Sequence, residues 1–268
     1  MSKQKISLAY STCPNDTFIF HALAQGLVDC GKLDFQIKLK DVETLNQDAK
    51  NNIFHISKLS FAAIGHLLDN YELLKTGAAL GRGCGPLIIT RSDTDQNKIN
   101  SSKIAVPGLW TTANLLLSLY LSKKPDVAPM TFDKIMPAVQ KGDFNFGVII
   151  HEGRFTYEKY GLVCLQDLGQ WWEDTTSLPI PLGGIAIRRD MLHLKHQVEK
   201  ILKESIIFAL KNRDASKQYI KKFAQEMDDR VIKEHIDLYV NDFTVDLGNK
   251  GKEAVDMLFR MAQKAGVF

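Results

Sequence analysis

His151 stands where an apolar run, Phe146-Gly147-Val148-Ile149-Ile150, breaks into His151-Glu152-Gly153-Arg154. A strand end followed at once by Glu, Gly and Arg is exposed turn chemistry, and an imidazole held there exchanges protons near neutral pH and can act as a general base. The ordinary alternative for a lone histidine is a hydrogen-bonded place in the core. His21, His55, His66, His193, His196 and His235 lack the strand-end context and read as structural or surface residues. A second chemical feature is Thr111-Thr112, which caps a helix carrying Leu115, Leu116 and Leu119. Hydroxyls and free backbone N–H groups at a helix start suit a carboxylate or phosphate, although many Ser/Thr caps bind nothing. Asn15, Asp16 and Ser57 hold comparable positions under the same caution.

Several chemistries are disfavoured by spacing. Phe155 stands where H-E-x-x-H needs its second histidine, which argues against a zinc protease. Gly81-Arg82-Gly83-Cys84-Gly85 matches neither G-x-G-x-x-G nor the P-loop and reads as a tight turn. There is no G-x-S-x-G nucleophile elbow. Cys13, Cys30, Cys84 and Cys164 are scattered, without C-x-x-C or zinc spacing, so reduced thiols in the cytosol are expected.

The elements that must position these residues repeat one pattern: apolar run, small polar break, amphipathic helix. The first is Ile6–Tyr10, a break over Ser11–Asp16 and a helix from about Thr17. The second is Phe54–Ile56, a break over Ser57–Ser60 and a helix from Phe61; the third is Lys103–Val106, Pro107–Trp110 and the Thr111-Thr112 helix. Strands feeding helices predict parallel sheets in an α/β fold, with ligands held beyond the strand ends. Segments 86–91 and 183–188 read as paired crossings between two lobes. The tail reads as helices over 191–211, 214–225, 229–241 and 252–265, completing the first lobe. The expected division is a large lobe of 1–90 and 191–268 and a small lobe of 91–190.

Composition is that of a folded globular chain: 268 residues, 45% hydrophobic and 24% charged, with 34 basic against 31 acidic residues. That balance gives no reason to expect a nucleic-acid partner. Residues 1–10 lack a secretory apolar core, and no apolar run nears the roughly 20 residues that cross a bilayer. A cytosolic chain with no membrane partner is expected.

At Cys13-Pro14-Asn15-Asp16-Thr17-Phe18, Gly83-Cys84-Gly85-Pro86, Thr111-Thr112-Ala113 and Ile150-His151-Glu152-Gly153-Arg154-Phe155-Thr156-Tyr157, the chain resembles the 1,4-dihydroxy-6-naphthoate synthase family of the futalosine route to menaquinone. The motifs keep the family's order from the N-terminus through the middle lobe, the helical tail adds little, and Thr12 stands where many relatives carry proline. The resemblance implies a two-lobed, type II periplasmic-binding-protein-like fold with mixed sheets. It also implies a lyase that converts cyclic dehypoxanthinylfutalosine to 1,4-dihydroxy-6-naphthoate with no metal or organic cofactor, as a monomer or homodimer acting on a small carboxylate. His151 would be the base that starts ring opening and C–C cleavage. Thr111, Thr112 and the N–H of Ala113 would hold the carboxylate, Ser57 and Ser60 would face it from the other lobe, and Asn15 and Arg154 would contact hydroxyl or carbonyl groups. The competing readings are chorismate dehydratase of the same pathway, disfavoured by the His-Glu-Gly segment, and a non-catalytic acid-binding protein, disfavoured by the missing export signal.

Overall fold

A computed structural model describes residues 3–224 and 228–268. Met1 and Ser2, in the segment read for an export signal, and Gln225, the expected end of a tail helix, lie outside the described residues. The chain runs through β1 (Gln4–Ser11), α1 (Pro14–Ala24), β2 (Leu33–Lys40), α2 (Val42–Lys50), β3 (Ile56–Ser60), α3 (Phe61–His66), β4 (Tyr71–Leu73) and β5 (Ala79–Gly81). It continues through β6 (Leu87–Arg91), β7 (Ile104–Val106), α4 (Thr112–Leu121), β8 (Val127–Pro129), α5 (Phe132–Lys141), β9 (Phe146–Ile149), α6 (Gly153–Thr156), β10 (Leu162–Asp167) and α7 (Leu168–Thr176). It returns through β11 (Ile180–Arg188) into α8 (Lys195–Lys211), α9 (Lys217–Phe223), α10 (Asp229–Tyr239), α11 (Asp242–Val245) and α12 (Gly248–Lys264).

These strands form two sheets, one ordered β2-β1-β3-β11-β4 with β5 also on β11, the other β10-β6-β9-β7-β8. The strand–helix units supply a parallel centre to each, β1 with β2 and β3, and β7 with β8 and β9. Antiparallel β11, β6 and β10 complete them, so both sheets are mixed. In β1, Ile6, Leu8 and Tyr10 bury one face against α1 and α8, while Ala9 faces a different core. A strand buried on both sides has to read as a near-continuous apolar run, as this one does. The tail helices close the first lobe from outside. The Ser205 hydroxyl of α8 donates to Ile19 O (2.6 Å) and accepts from Leu23 N (3.1 Å), inserting itself into the backbone ladder of α1.

Three expectations are corrected. Segment 57–60 is strand, not a break: β3 runs to Ser60, paired with β1 on one side and β11 on the other. Its polar residues survive there because they are bonded, Lys58 to Asp16 and Ser60 to Asn46. Segments 86–91 and 183–188 do not pair; β6 belongs to the second sheet and β11 to the first. The boundaries at 90 and 190 therefore move, and the chain crosses between sheets at 82–86 and 168–179.

The two crossings touch at Gly85 and Gly169, so closely that a Cβ on Gly85 would lie 2.2 Å from Gly169 N. Arg154 braces them: its guanidinium donates to Gly85 O (2.8 Å) and pairs with Asp167 (2.5 Å), whose other carboxylate oxygen caps α7. Gly85→Ala, which has no flexible neighbour to displace, is expected to cost about 1–3 kcal/mol or more. A urea midpoint equal to that of the unsubstituted protein would show that the crossings are not in obligatory contact.

Candidate active site

A cleft between the sheets encloses roughly 660 Å³, counting the space open at its mouth, within the range of small-molecule sites. Asn15, Ser60, Thr111, Thr112, Ala113 and His151 all line it. Two expected contacts do not. Ser57 lies buried in β3, its hydroxyl turned to Lys58 O at 3.4 Å. Arg154 is spent on the crossings, because the turn after His151 carries its side chain toward Gly85 and away from the cleft.

On the second-lobe side the cleft meets the start of α4. Thr111 is the N-cap: its hydroxyl accepts from Asn114 N (3.2 Å) and donates to Gly108 O (2.8 Å). The Thr112 hydroxyl donates to Leu182 O (2.7 Å) and accepts from Ala62 N (3.2 Å), tying α4 to β11 and α3. Both hydroxyl protons are thus committed to carbonyls. What α4 offers an anion is its backbone, the N–H groups of Thr112 and Ala113 in the first turn, where the helix has no acceptor for them and its dipole is positive. Ser60, the N-cap of α3, receives Asn46 Nδ2 on its oxygen (3.1 Å), which leaves its own proton to donate.

Across the cleft stands a feature not read from the sequence. Lys58 pairs with Asp16 at 3.0 Å, both side chains almost wholly buried. Asp16 also accepts from Ser11 Oγ (2.7 Å) and Asn15 Nδ2 (3.0 Å), and Lys58 donates to Gly77 O (2.8 Å). A buried pair is tolerated when its remaining hydrogen-bonding capacity is met in this way. A lysine inside a strand whose partner lies 42 positions earlier gives no local signal.

His151 itself adopts a left-handed backbone, φ 56°, which ends β9 and swings the ring into the cleft; histidine is among the few non-glycine residues enriched there. The ring packs edge-on against Phe132, centroids 5.1 Å apart. Its Nδ1 lies 3.4 Å from Cys13 Sγ, while Nε2 is buried with no partner among the described residues. Burial, and then the negative charges of Glu152 and Asp16, push the Cys13 thiol well up, so it remains S–H and is no nucleophile at neutral pH. Nδ1 and the Cys13 thiol can each be the donor in that contact; in the tautomer that carries its proton on Nδ1, the Nε2 lone pair is left free to accept a proton.

His235, read as structural or surface, is fully buried on α10 beside this turn. Its ring lies 6.2 Å from that of His151 and its Nε2 is 2.9 Å from Asn15 Oδ1. Burial, reinforced by charge on His151, pulls its pKa well down, so it is neutral. Val231, Ile232, His235, Ile236 and Tyr239 are the buried residues of α10, and that helical spacing was a signal that could have found it.

A sequence model of the family described as menaquinone biosynthesis matches residues 6–264. The 1,4-dihydroxy-6-naphthoate synthase of Thermus thermophilus is 42% identical over 265 residues, covering 98% of this chain and 96% of that one. Its Streptomyces coelicolor counterpart is 41% identical over 274 residues, with 100% and 96% covered. Among solved structures, a protein from Archaeoglobus fulgidus superposes with a TM-score of 0.92 at 36% identity, 98% of each chain covered. The alkanesulfonate-binding protein of Xanthomonas axonopodis pv. citri gives 0.72 at 11% identity, covering 100% and 95%, a likeness of fold alone. The fold is therefore that of the periplasmic binding proteins, and by the match across residues 6–264 the chain belongs to the menaquinone-biosynthesis family.

Proposed function

We propose that this chain is a 1,4-dihydroxy-6-naphthoate synthase, a cofactor-independent lyase that converts cyclic dehypoxanthinylfutalosine to 1,4-dihydroxy-6-naphthoate, with His151 as its general base. One observation carries the reading: a histidine with an unpartnered Nε2 shares a cleft with the open N-terminus of α4. The substrate carboxylate sits on the N–H groups of Thr112 and Ala113, with the Ser60 hydroxyl reaching it from β3. Nε2 of His151 then removes a proton from carbon, and the electron pair left behind drives ring opening and C–C cleavage toward the aromatic product. Thr111 and Thr112 shape the anion site through their backbone bonds, and Asn15 acts on its neighbours, since its amide is already engaged. Closure of the lobes excludes water and orients the imidazole. Cys13, Cys30, Cys84 and Cys164 are all free thiols, which favours a reducing compartment, and we place the reaction in the cytoplasm, carried out by a monomer or homodimer. No helix among the described residues is long and apolar enough to cross a membrane.

His151→Gln is expected to slow naphthoate formation about 10²–10⁴-fold, the usual contribution of a positioned base, while affinity for the product stays within a few-fold. Turnover close to that of the unsubstituted protein would remove His151 from the chemistry. Running the same assay with chorismate, and finding enolpyruvyl-benzoate instead of naphthoate, would reassign the reaction.

Ala113→Asp tests the anion site. A carboxylate in the first turn of α4 is compatible with the helix dipole, but Ala113 is buried in the core, so KM is read on protein whose urea midpoint is confirmed; there the carboxylate occupies the donors and repels that of the substrate. KM should rise by about tenfold or more, the worth of one charge-assisted hydrogen bond; an unchanged KM would move the carboxylate elsewhere.

A further inference from the structure

Six buried side-chain polar atoms among the described residues have no hydrogen-bond partner, and three of them, His151 Nε2, Glu152 Oε2 and His235 Nδ1, belong to neighbouring residues, of which His151 lines the cleft and the other two lie behind it. His235 Nδ1 and Glu152 Oε2 face each other at 3.9 Å, with both side chains nearly or fully buried. They come from different lobes, His235 from α10 and Glu152 from the turn between β9 and α6.

The hydrogen bonds around His235 fix which atom carries its proton. Asp16 can only accept, so Asn15 turns its Nδ2 toward Asp16 and its Oδ1 toward His235. An amide oxygen also only accepts, so the His235 proton is on Nε2. In the neutral ring Nδ1 is then a bare lone pair, and it looks at a carboxylate oxygen. Two acceptors face each other across a gap that one proton would turn into a single N–H···O bond, satisfying both. The other titratable groups around the ring are Cys13 and Asp16 from the start of α1, His151 from the turn, and Tyr239 one helical turn along α10, with Cys84 beyond it. None of these donates a hydrogen bond to either atom.

We propose that Glu152 and His235 form a proton-holding pair that acts through His151, built one proton short so that it can take up the proton removed from the substrate. The inference rests on the reading of His151 as the base. The substrate C–H bond breaks with its electron pair left on carbon, and the proton goes to Nε2 of His151. From the imidazolium it passes to the gap between Glu152 Oε2 and His235 Nδ1, the two histidine rings lying 6.2 Å apart. It returns along the same path to the departing fragment, so the pair ends the cycle as it began. Burial of His235 keeps the pair empty at rest, since an isolated positive ring there is unfavourable.

Glu152→Gln separates this role from a merely structural one. The new amide N–H donates to His235 Nδ1, which makes permanently the bond that the native pair makes only when loaded. The variant should therefore have a urea midpoint equal to or above that of the unsubstituted protein, a KM for cyclic dehypoxanthinylfutalosine within about twofold, and a kcat at least tenfold lower. A kcat within twofold of the unsubstituted value overturns the proposal, as does a rate loss accompanied by a lower urea midpoint. His235→Gln is the second variant, and Glu152→Gln decides the matter if it fails to fold. His151→Gln is measured alongside: if it is inactive while Glu152→Gln is fully active, the pair alone is refuted, and if it is active, the base reading falls and the pair with it.

Discussion

The cleft depends on the buried ion pair between Asp16 and Lys58. Taking two charges out of water costs several kcal/mol per ion unless attraction and hydrogen bonds offset it, and here the offset comes from four different segments. Ser11 at the end of β1, Asn15 in the first turn of α1, Lys58 in the middle of β3 and the carbonyl of Gly77 all converge on the pair. Moving any of them leaves a buried charge short of a partner. The consequence propagates by hydrogen-bond logic: Asp16 orients the Asn15 amide, the amide fixes the tautomer of His235, and the tautomer leaves a lone pair facing Glu152. An electrostatic requirement in the first lobe thus sets the proton inventory beside a histidine that belongs to the second.

Bringing those lobes together is the work of the crossings. The chain leaves the first sheet after Gly81 and returns to it at Ile180, and the two passages run against each other at Gly85 and Gly169 with no room for a side chain on the first. Arg154, three residues past His151, ties both passages to the turn that carries the histidine. That residue is better understood as part of the hinge than as a ligand contact. It fixes where the turn begins, and the left-handed backbone of His151 then sets where the ring points.

The sequence made local features legible and hid distant ones. The run from Phe146 to Ile150 ending in His-Glu-Gly-Arg announces a strand and a turn, and the Thr111 cap announces a helix start; both are settled within a few residues of chain and both are present, although the turn expected to be exposed is half-buried or buried. Segment 57–60 was misread because serine and lysine within a strand usually signal a solvent face or a loop, whereas here their partners, Asp16 and Asn46, come from elsewhere in the fold. Ser57 and Arg154, which the resemblance implies as substrate contacts, neighbour residues that line the cleft without lining it themselves. A strand alternates its faces, and a long side chain after a turn can reach backward, so proximity along the chain does not decide where a side chain ends. Segments 86–91 and 183–188 were recognisable as strands, but which sheet each joins is set by tertiary pairing that no local pattern encodes.

Departures from ordinary folding rules mark the working part of the molecule. Elsewhere the buried Asp16–Lys58 charges are paired and several helix starts are capped, Asp41 on α2, Asp167 on α7 and Asp228 on α10 each accepting two backbone N–H bonds. Positive φ at a non-glycine residue and unpartnered buried atoms each occur singly at other places, but at the His151 turn they coincide, and three buried polar atoms from two lobes have no partner among the described residues. Each such atom costs about 1–3 kcal/mol relative to a satisfied one, so folding alone gives no reason to gather them in one place. A proton in transit does, because groups that are to receive it must be unsatisfied beforehand.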